Sequence, residues 1–301
     1  MTVLRLLSSP YVFLLLPVLF WAGNAVIGRA VVGEVPPFTL SFWRWVAAAL
    51  ILLPIGLPRL LAQRERLRGR WPVLLALALT SVAAYNTLLY LALQTTTAIN
   101  ATLVGCSMPI VIIALSRLWL GESISLRQGG GVVVSLIGVL LVIARGDPAT
   151  LLALHLQPGD GWMMVAVLSW ATYSVLLRRH PTGIEPLALL TLLVLLGVPM
   201  ILPLYLWELA QGQLWHPSPH GLAVIAYVAI FPSVLAYYFW NQGVAKLGAN
   251  TAGLYANLLP ILTAILAVLL IGESFRWFHG AGLALIFGGI WLATLRRGSS
   301  G

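Results

Sequence analysis

Residues 101–138, ATLVGCSMPIVIIALSRLWLGESISLRQGGGVVVSLIG, return without a gap 151 positions later as residues 252–289, AGLYANLLPILTAILAVLLIGESFRWFHGAGLALIFGG. Each copy contains an apolar stretch, a Gly-Glu-Ser junction and a second apolar stretch rich in glycine. The identical positions include Ala101, Leu103, Pro109, Ile110, Gly121, Glu122, Ser123, Gly129, Gly131 and Gly138, which meet Ala252, Leu254, Pro260, Ile261, Gly272, Glu273, Ser274, Gly280, Gly282 and Gly289. The chain is therefore built from two copies of one unit.

The repeat extends toward the N-terminus at an offset of 149 residues. There, Val18, Leu19, Trp21, Ala22, Val26, Arg29 and Pro37 meet Val167, Leu168, Trp170, Ala171, Val175, Arg178 and Pro186. Each copy holds five apolar spans, and because five is odd, the second copy enters a membrane from the opposite side. Inverted repeats of this kind are typical of secondary transporters, whose substrate sites lie near the midplane between the halves.

The composition predicts an all-α integral membrane protein. Hydrophobic residues make up 60% of the chain and charged residues only 8%, with a mean hydropathy of +0.97. Soluble domains carry roughly a quarter charged residues, so most of this surface must face lipid. The predicted transmembrane helices cover residues 11–31, 37–57, 71–92, 96–118, 126–144, 161–179, 185–207, 221–243, 250–271 and 277–295.

The basic residues predict that both termini are cytoplasmic, because positively charged loops resist translocation. With that orientation 13 of the 17 basic residues lie on the inner side. They are Arg5, Arg59, Arg64, Arg66, Arg68, Arg70, Arg117, Arg127, Arg178, Arg179, Lys246, Arg296 and Arg297. A nucleic-acid partner is not expected from the net charge of +9, since these residues sit at the ends of apolar segments rather than on one soluble face.

The predicted organisation is a first repeat at 1–146, a connecting outer loop at 147–160, a second repeat at 161–297 and a possible expression-tag scar at 298–301. The N-terminal apolar stretch has a counterpart in mid-chain, so we expect it to be a retained first helix rather than a cleaved signal peptide.

The Trp21-Ala22-Gly23-Asn24 segment, the doubled Gly-Glu-Ser junction and the glycine-rich fifth and tenth spans resemble the drug/metabolite transporter superfamily, in particular its ten-helix EamA-type members. Within that group the chain is most similar to aromatic amino acid exporters of the YddG type, and the resemblance covers residues 11–296. It implies a central cavity surrounded by helices one, three, four, six, eight and nine. It also implies export of aromatic and other neutral amino acids and related amphipathic metabolites, organic cations among them.

Polar and aromatic side chains within the spans are the candidates for that cavity. Amides and hydroxyls can bind an ammonium or a carboxylate, and aromatic faces can hold a cation or stack on a ring. The same side chains could instead bond neighbouring helices or mark the membrane interface. The candidates are Asn24, Tyr85, Asn86, Asn100, Thr102, Trp170, Tyr173, Tyr237, Tyr238, Trp240, Asn241, Tyr255 and Asn257.

The repeated junctions and prolines predict structural roles as well. Gly121 and Gly272 are expected to end helices in the left-handed conformation, and Glu122 and Glu273 to cap the helices that follow them. Pro109 and Pro260 lie inside the predicted helices four and nine, where a proline bends a helix. That bend is either a hinge for alternating access or a static kink.

Arg44 is the clearest charge within a predicted span, about 10 Å along helix two at 1.5 Å per residue. Intramembrane charges are functional candidates, and Arg44 could attract a carboxylate substrate. Because Trp43 and Trp45 flank it, an interfacial aromatic belt with a snorkelling arginine is the equally weighted alternative.

The acidic residues and histidines argue against proton coupling and against catalysis. All eight acids fall in loops or at helix ends, and no histidine lies at mid-span. The sequence therefore favours facilitative transport, with an ion-coupled carrier or a pore-type channel as alternatives. Without a mid-span carboxylate pair, a nucleotide loop or more than the one cysteine, Cys106, we expect no enzyme activity, no cofactor and no metal site.

The expected partners are a small-molecule substrate and the lipid bilayer, in a multi-pass protein of a bacterial-type inner membrane. The glycines of spans five and ten allow close helix approach. They fit either packing within a monomer or a homodimer face.

Overall fold

The computed structural model describes residues 10–121, 125–147, 149, 157–247, 255 and 258–294, and the described chain is helical with no strand among those residues. We number the helices α1 to α10, joining segments that continue one another along the chain. They are α1 (Pro10–Ala30), α2 (Pro37–Ala62), α3 (Trp71–Ala78, Leu79–Tyr85 and Asn86–Ala92), α4 (Ala98–Gly105 and Met108–Leu120), α5 (Leu126–Ile143), α6 (Pro158–Arg179), α7 (Pro186–Ala210), α8 (Pro219–Ala229, Ile230–Leu235 and Ala236–Leu247), α9 (Leu259–Ile271) and α10 (Trp277–Thr294).

Seven of the described helices are long and apolar enough to cross a membrane, and three further apolar helices at Gly129–Val142, Leu259–Ile271 and Trp277–Leu292 are shorter. The all-helical membrane architecture predicted from composition is confirmed. The direction of the chain across the bilayer stays a prediction.

Local sequence explains where these helices begin and end. Proline occupies the first or second position of α2, α6, α7 and α8, where its missing N–H has no intrahelical partner to lose. Thr97 and Ser218 cap α4 and α8 by accepting hydrogen bonds from Asn100 N and Gly221 N. Gly121 and Gly272 take left-handed φ angles of 70° and 68°, which glycine adopts without steric cost.

Pro109 and Pro260 do not lie in the interior of continuous described helices, contrary to the sequence expectation. Helix α4 is interrupted by a turn at Cys106 and Ser107, and Pro109 is the second residue of its second segment. Pro260 is likewise the second residue of α9 as described. Each proline therefore starts a helical segment, a position that needs no N–H donor.

Two carboxylates cap helices to which they are not adjacent in sequence. Glu208, in the last turn of α7, accepts hydrogen bonds from Phe38 N at 3.0 Å and Thr39 N at 2.6 Å in the first turn of α2. Glu273 accepts from Ala98 N at 2.7 Å and Ile99 N at 3.1 Å in α4. The sequence assigned Glu273 to the helix that follows it. That assignment was wrong, because packing brings the N-terminus of α4 within reach. Glu122 lies outside the described residues.

Helices α5 and α10 pack against each other through glycine. A Cβ on Gly138 would lie 2.9 Å from the carbonyl oxygen of Gly282, and a Cβ on Gly289 would lie 2.5 Å from that of Gly131. Gly138 corresponds to Gly289 in the repeat, and Gly131 corresponds to Gly282. The two contacts are therefore equivalent, as expected for two helices related by a two-fold axis. These glycines therefore hold α5 to α10 within one chain.

Two apolar clusters fill the described bundle. One contains residues of α1 to α6 and of α8, α9 and α10, with Tyr90 and Ile99 fully buried. The other joins α2, α3 and α7 around Trp45 and Leu193. Polar groups of α1, α2, α3 and α8 meet where these clusters adjoin.

Candidate substrate cavity

A buried arginine joins four helices. Arg44 of α2 is only 2% exposed, and its Nε donates to Ser233 Oγ of α8 at 2.7 Å. Its Nη1 lies 3.0 Å from Asn24 Oδ1 of α1, 2.9 Å from Asn86 Oδ1 and 2.7 Å from the Tyr90 hydroxyl of α3. We call these five residues the arginine cluster. Nη1 carries only two hydrogens, so it can donate to only two of these three oxygens at one time.

The arginine cluster is positively charged. A guanidinium stays protonated in proteins, and the cluster's other members are neutral. No carboxylate forms an ion pair with Arg44 in the described part of the chain. The ring centroids of Trp45 and Tyr90 lie 5.0 and 5.8 Å from the guanidinium carbon, so aromatic faces supply part of the compensation.

The snorkelling alternative for Arg44 is wrong. Trp45 is fully buried, and only Trp43 of the two flanking tryptophans is exposed. Because the Arg44 side chain turns into the bundle toward α1, α3 and α8, its charge is held by protein groups rather than by lipid headgroups.

Aromatic side chains adjoin the arginine cluster. The Trp170 ring of α6 lies 5.0 Å from the Tyr85 ring of α3 and 5.1 Å from the Tyr173 ring. The Tyr237 side chain of α8 packs against the same apolar cluster as Tyr173, and its ring lies 6.4 Å from that of Trp21. We call Tyr85, Trp170, Tyr173 and Tyr237 the aromatic wall. All four are only half-buried, and Tyr85 packs against one apolar cluster while Tyr173 and Tyr237 pack against the other.

Two π-helical segments shape this region, and nothing in the sequence predicted them. They cover Leu79–Tyr85 in α3 and Ile230–Leu235 in α8, again 151 positions apart at their starts. A π segment leaves carbonyl oxygens without their usual helical donor and is frequent at functional sites. Side chains from neighbouring helices serve these oxygens. Ser169 Oγ donates to Thr80 O at 2.8 Å, and Trp21 Nε1 donates to Pro232 O at 3.2 Å.

The structure brings together six of the predicted cavity residues. They are Asn24, Tyr85, Asn86, Trp170, Tyr173 and Tyr237. Trp240 packs on Trp21 at 5.3 Å in the adjoining part of α1 and α8. Tyr255 is half-buried with no recorded contact to this group among the described residues.

Three predicted residues lie elsewhere. Tyr238 is 50% exposed on the outside of α8, because it is adjacent to an inward-facing tyrosine and points away from it. Asn100 Oδ1 lies 3.0 Å from His279 Nε2, and the Thr102 hydroxyl donates to Ala98 O and Ile99 O of its own helix. The Asn241 side chain and Asn257 lie outside what the structure describes.

Sequence reasoning omitted Tyr90 and Ser233 from the site. Tyr90 lies four residues after Asn86, and that spacing puts two residues on one helix face, so it could have been found. Ser233 had no comparable signal, because its orientation depends on the π segment of α8.

Residues of α1, α6 and the α9–α10 connection bond to the α3–α4 turn and the start of α4. Arg29 Nη1 of α1 donates to Leu93 O at 2.7 Å, and Glu273 caps α4. Asp160, at the start of α6, accepts from the Thr96 hydroxyl. Among the described residues its Oδ2 has no hydrogen-bond partner, although Asp160 is only 1% exposed. Thus one acid that the sequence placed at a helix end is also buried.

An apolar groove on another part of the bundle is separate from this site. It encloses about 390 Å³ between α4, α9 and α10 and is lined by apolar residues such as Leu103, Ala264 and Leu283. Its wall residues Ile265 and Leu269 are exposed on the outer surface of the bundle, which faces lipid in a membrane protein. We therefore assign the chemistry to the arginine cluster and the aromatic wall.

Comparison with known proteins identifies the family. The model of the EamA-like transporter family matches residues 8–144 and 157–295. The uncharacterized transporter YyaM of Bacillus subtilis (strain 168) is 28% identical over 284 residues, which cover 94% of this chain and 93% of the relative. The aromatic amino acid exporter YddG of Ancylobacter novellus is 26% identical over 284 residues, covering 92% and 94%.

A solved structure described only as the crystal structure of a protein is similar in fold. Its TM-score is 0.64 at 23% identity, and the similarity covers 95% of this chain and 98% of the other. The family match takes in both halves of this multi-pass membrane protein, so the chain belongs to the EamA-like transporter family.

Proposed function

We propose that this protein is a secondary transporter that exports amino acids, aromatic and other neutral ones, by facilitative alternating access in a bacterial inner membrane. The similarity to an aromatic amino acid exporter supports the substrate class. The many bacterial relatives named as transporters support the location.

One observation carries the proposal. The arginine cluster and the aromatic wall adjoin at the contact between the two halves, where α1, α2 and α3 meet α6 and α8. Donors for a carboxylate then lie beside faces that can stack on an aromatic side chain. A site between inverted halves is also the arrangement that alternating access requires.

The experiment is uptake by proteoliposomes that contain the purified protein. We expect saturable uptake of labelled phenylalanine, tryptophan and threonine that accelerates when unlabelled substrate is inside, since only a carrier shows counterflow. Linear, unsaturable flux without counterflow would indicate a channel.

The aromatic wall is tested by Trp170→Ala. Stacking between two aromatic rings contributes about 0.5–1.5 kcal/mol in addition to the burial of their apolar surface. Loss of the Trp170 ring should therefore raise the KM for tryptophan roughly threefold to tenfold. Threonine should be affected less. Tyr238→Ala is the matched control, because that side chain is exposed on the outside of the same bundle. Equal effects of the two variants would contradict the assignment of the wall.

Proton-coupled transport is the second candidate, and Asp160 is the observation that favours it. A buried carboxyl oxygen without a partner is one that a proton can occupy. Facilitative transport predicts that an imposed pH gradient does not drive uptake above equilibrium. Uphill uptake that disappears in Asp160→Asn would establish coupling and reject the facilitative proposal.

A further inference from the structure

The arginine cluster contains more hydrogen-bond donors than its own acceptors require. Arginine carries five N–H groups and no acceptor, and four neutral oxygens surround Arg44. Because an arginine can only donate, the amides of Asn24 and Asn86 must turn their carbonyl oxygens toward it. Their N–H groups then lie on the far side of each amide as additional donors. A site of this composition is complementary to an anion.

The charge balance points the same way. Burying an unpaired cation in a membrane protein is unfavourable, and no described carboxylate neutralises Arg44. Hydrogen bonds from neutral oxygens offset part of that penalty without supplying a negative charge. An anionic ligand group would supply it.

The surroundings restrict what the anion can be attached to. Tyr85 directly precedes Asn86 in α3, and Tyr237 follows Ser233 by four residues in α8. Two members of the wall are therefore close along the chain to two residues that contact the guanidinium. A ligand bound there has one charged end and an apolar or aromatic body.

We infer that Arg44 is the carboxylate-binding group of the substrate site, and that the transported compounds must carry a carboxylate. The inference rests on the proposed function and narrows it. Phenylalanine meets the requirement, whereas phenethylamine, which lacks only the carboxylate, does not. Organic cations, which the family resemblance admitted as substrates, are excluded.

The test compares phenylalanine with phenethylamine and 3-phenylpropionate on the wild-type protein. Losing a hydrogen bond to a charged group corresponds to roughly tenfold to hundredfold in affinity. We therefore expect phenethylamine to compete for phenylalanine uptake at least about tenfold more weakly than phenylalanine itself. Equal competition by the two compounds would overturn the role of Arg44 and leave amino acid export intact.

Ligand-induced thermal stabilisation of the wild-type protein in detergent separates the two proposals further. If no amino acid is transported, stabilisation by 3-phenylpropionate but not by phenethylamine retains Arg44 as a carboxylate site while rejecting amino acid export. Stabilisation by neither compound, or by both equally, overturns the Arg44 assignment.

The Arg44→Met and Arg44→Lys variants supply the residue-specific test. Met removes the charge, and Lys retains it without the planar fork. In folded protein we expect Met to abolish the preference for phenylalanine and Lys to retain part of it. A folded Arg44→Met variant with an unchanged preference contradicts the inference. Should that variant fail to fold, Asn86→Leu, which keeps the guanidinium, must still reduce the preference.

Discussion

The two halves of the molecule share a backbone plan but differ in chemistry at corresponding positions. At the repeat offsets of 149 and 151, the corresponding pairs are Asn24 with Tyr173, Arg44 with Leu193, Asn86 with Tyr237, and Tyr90 with Asn241. The first half thus carries the charge and four of the five cluster residues, and the second half has tyrosine, leucine and asparagine at the four corresponding positions. Both nevertheless keep a π segment in their third helix.

The difference shows what an inverted repeat leaves free to vary. Helix packing constrains glycines, prolines and caps in both copies, because each copy has to build the same contacts. Side chains that face the space between the halves do not share that constraint. Their divergence gives the site two unlike ends, which a symmetric site could not offer to an asymmetric ligand.

The largest effect is expected from copying the charge into the second half with Leu193→Arg. Leu193 is 3% exposed inside the apolar cluster of α2, α3 and α7. A charge in such a position costs about 3 kcal/mol or more. We expect little monodisperse protein after extraction in detergent. Leu193→Met should behave as the wild type, and a stable arginine variant would show that the two regions tolerate charge equally.

A smaller loss of stability is expected from Ser233→Ala in the arginine cluster. The change removes the acceptor of Arg44 Nε while leaving the guanidinium buried, and an unsatisfied donor of this kind costs about 1–3 kcal/mol. Thermal unfolding in detergent measures it. The matched control is Ser81→Ala, because Ser81 is a buried serine of the other π segment that donates only to Leu77 O of its own helix. Equal losses in the two variants would contradict a special role for the cluster.

The two π segments should lose similar amounts of stability when the side-chain donor to each is removed, although the side chains around them differ. Trp21→Phe removes the donor to Pro232 O, and Ser169→Ala removes the donor to Thr80 O. Each hydrogen bond contributes about 0.5–1.5 kcal/mol, so both variants should lower the unfolding midpoint by similar small amounts. If either variant lowers the unfolding midpoint by more than Ser233→Ala does, the two π segments differ in their contribution to stability.

The smallest effect on stability is expected at Glu34, which lies outside the arginine cluster and outside the apolar cluster around Leu193. Hydrogen bonds from His220 and then Ser218 lower the pKa of this exposed carboxyl below its ordinary value of 4.5. A lowered folded-state pKa stabilises the protein above pH 4.5, and that stabilisation disappears as the pH falls through the lowered value. Glu34→Gln should therefore be slightly less stable than the wild type at neutral pH. The two midpoints should converge as the pH falls below 4.5, and a gap that widens on acidification would reverse the assigned sign.

Composition was enough to predict an all-helical membrane protein, which the structure confirms. The two offsets predicted paired helices, and glycine at positions 121 and 272 predicted helix ends that the structure places there. The reach of Glu273 to α4 could not be predicted, because it depends on which helices become neighbours after packing. The same holds for Arg44. Its spacing from Trp43 and Trp45 fits both a membrane interface and a buried site, and only the positions of Asn24, Asn86 and Ser233 decide between them.

The cap that Glu273 forms on α4 has a kinetic consequence. Any motion that separates α4 from the α9–α10 connection must break its two hydrogen bonds to Ala98 N and Ile99 N before new ones form. Charge-assisted bonds contribute about 1.5–3 kcal/mol each. Under the alternating access proposed above, we expect this carboxylate to slow the separation of α4 from the α9–α10 connection, so that Glu273 acts on the rate of turnover rather than on the choice of ligand.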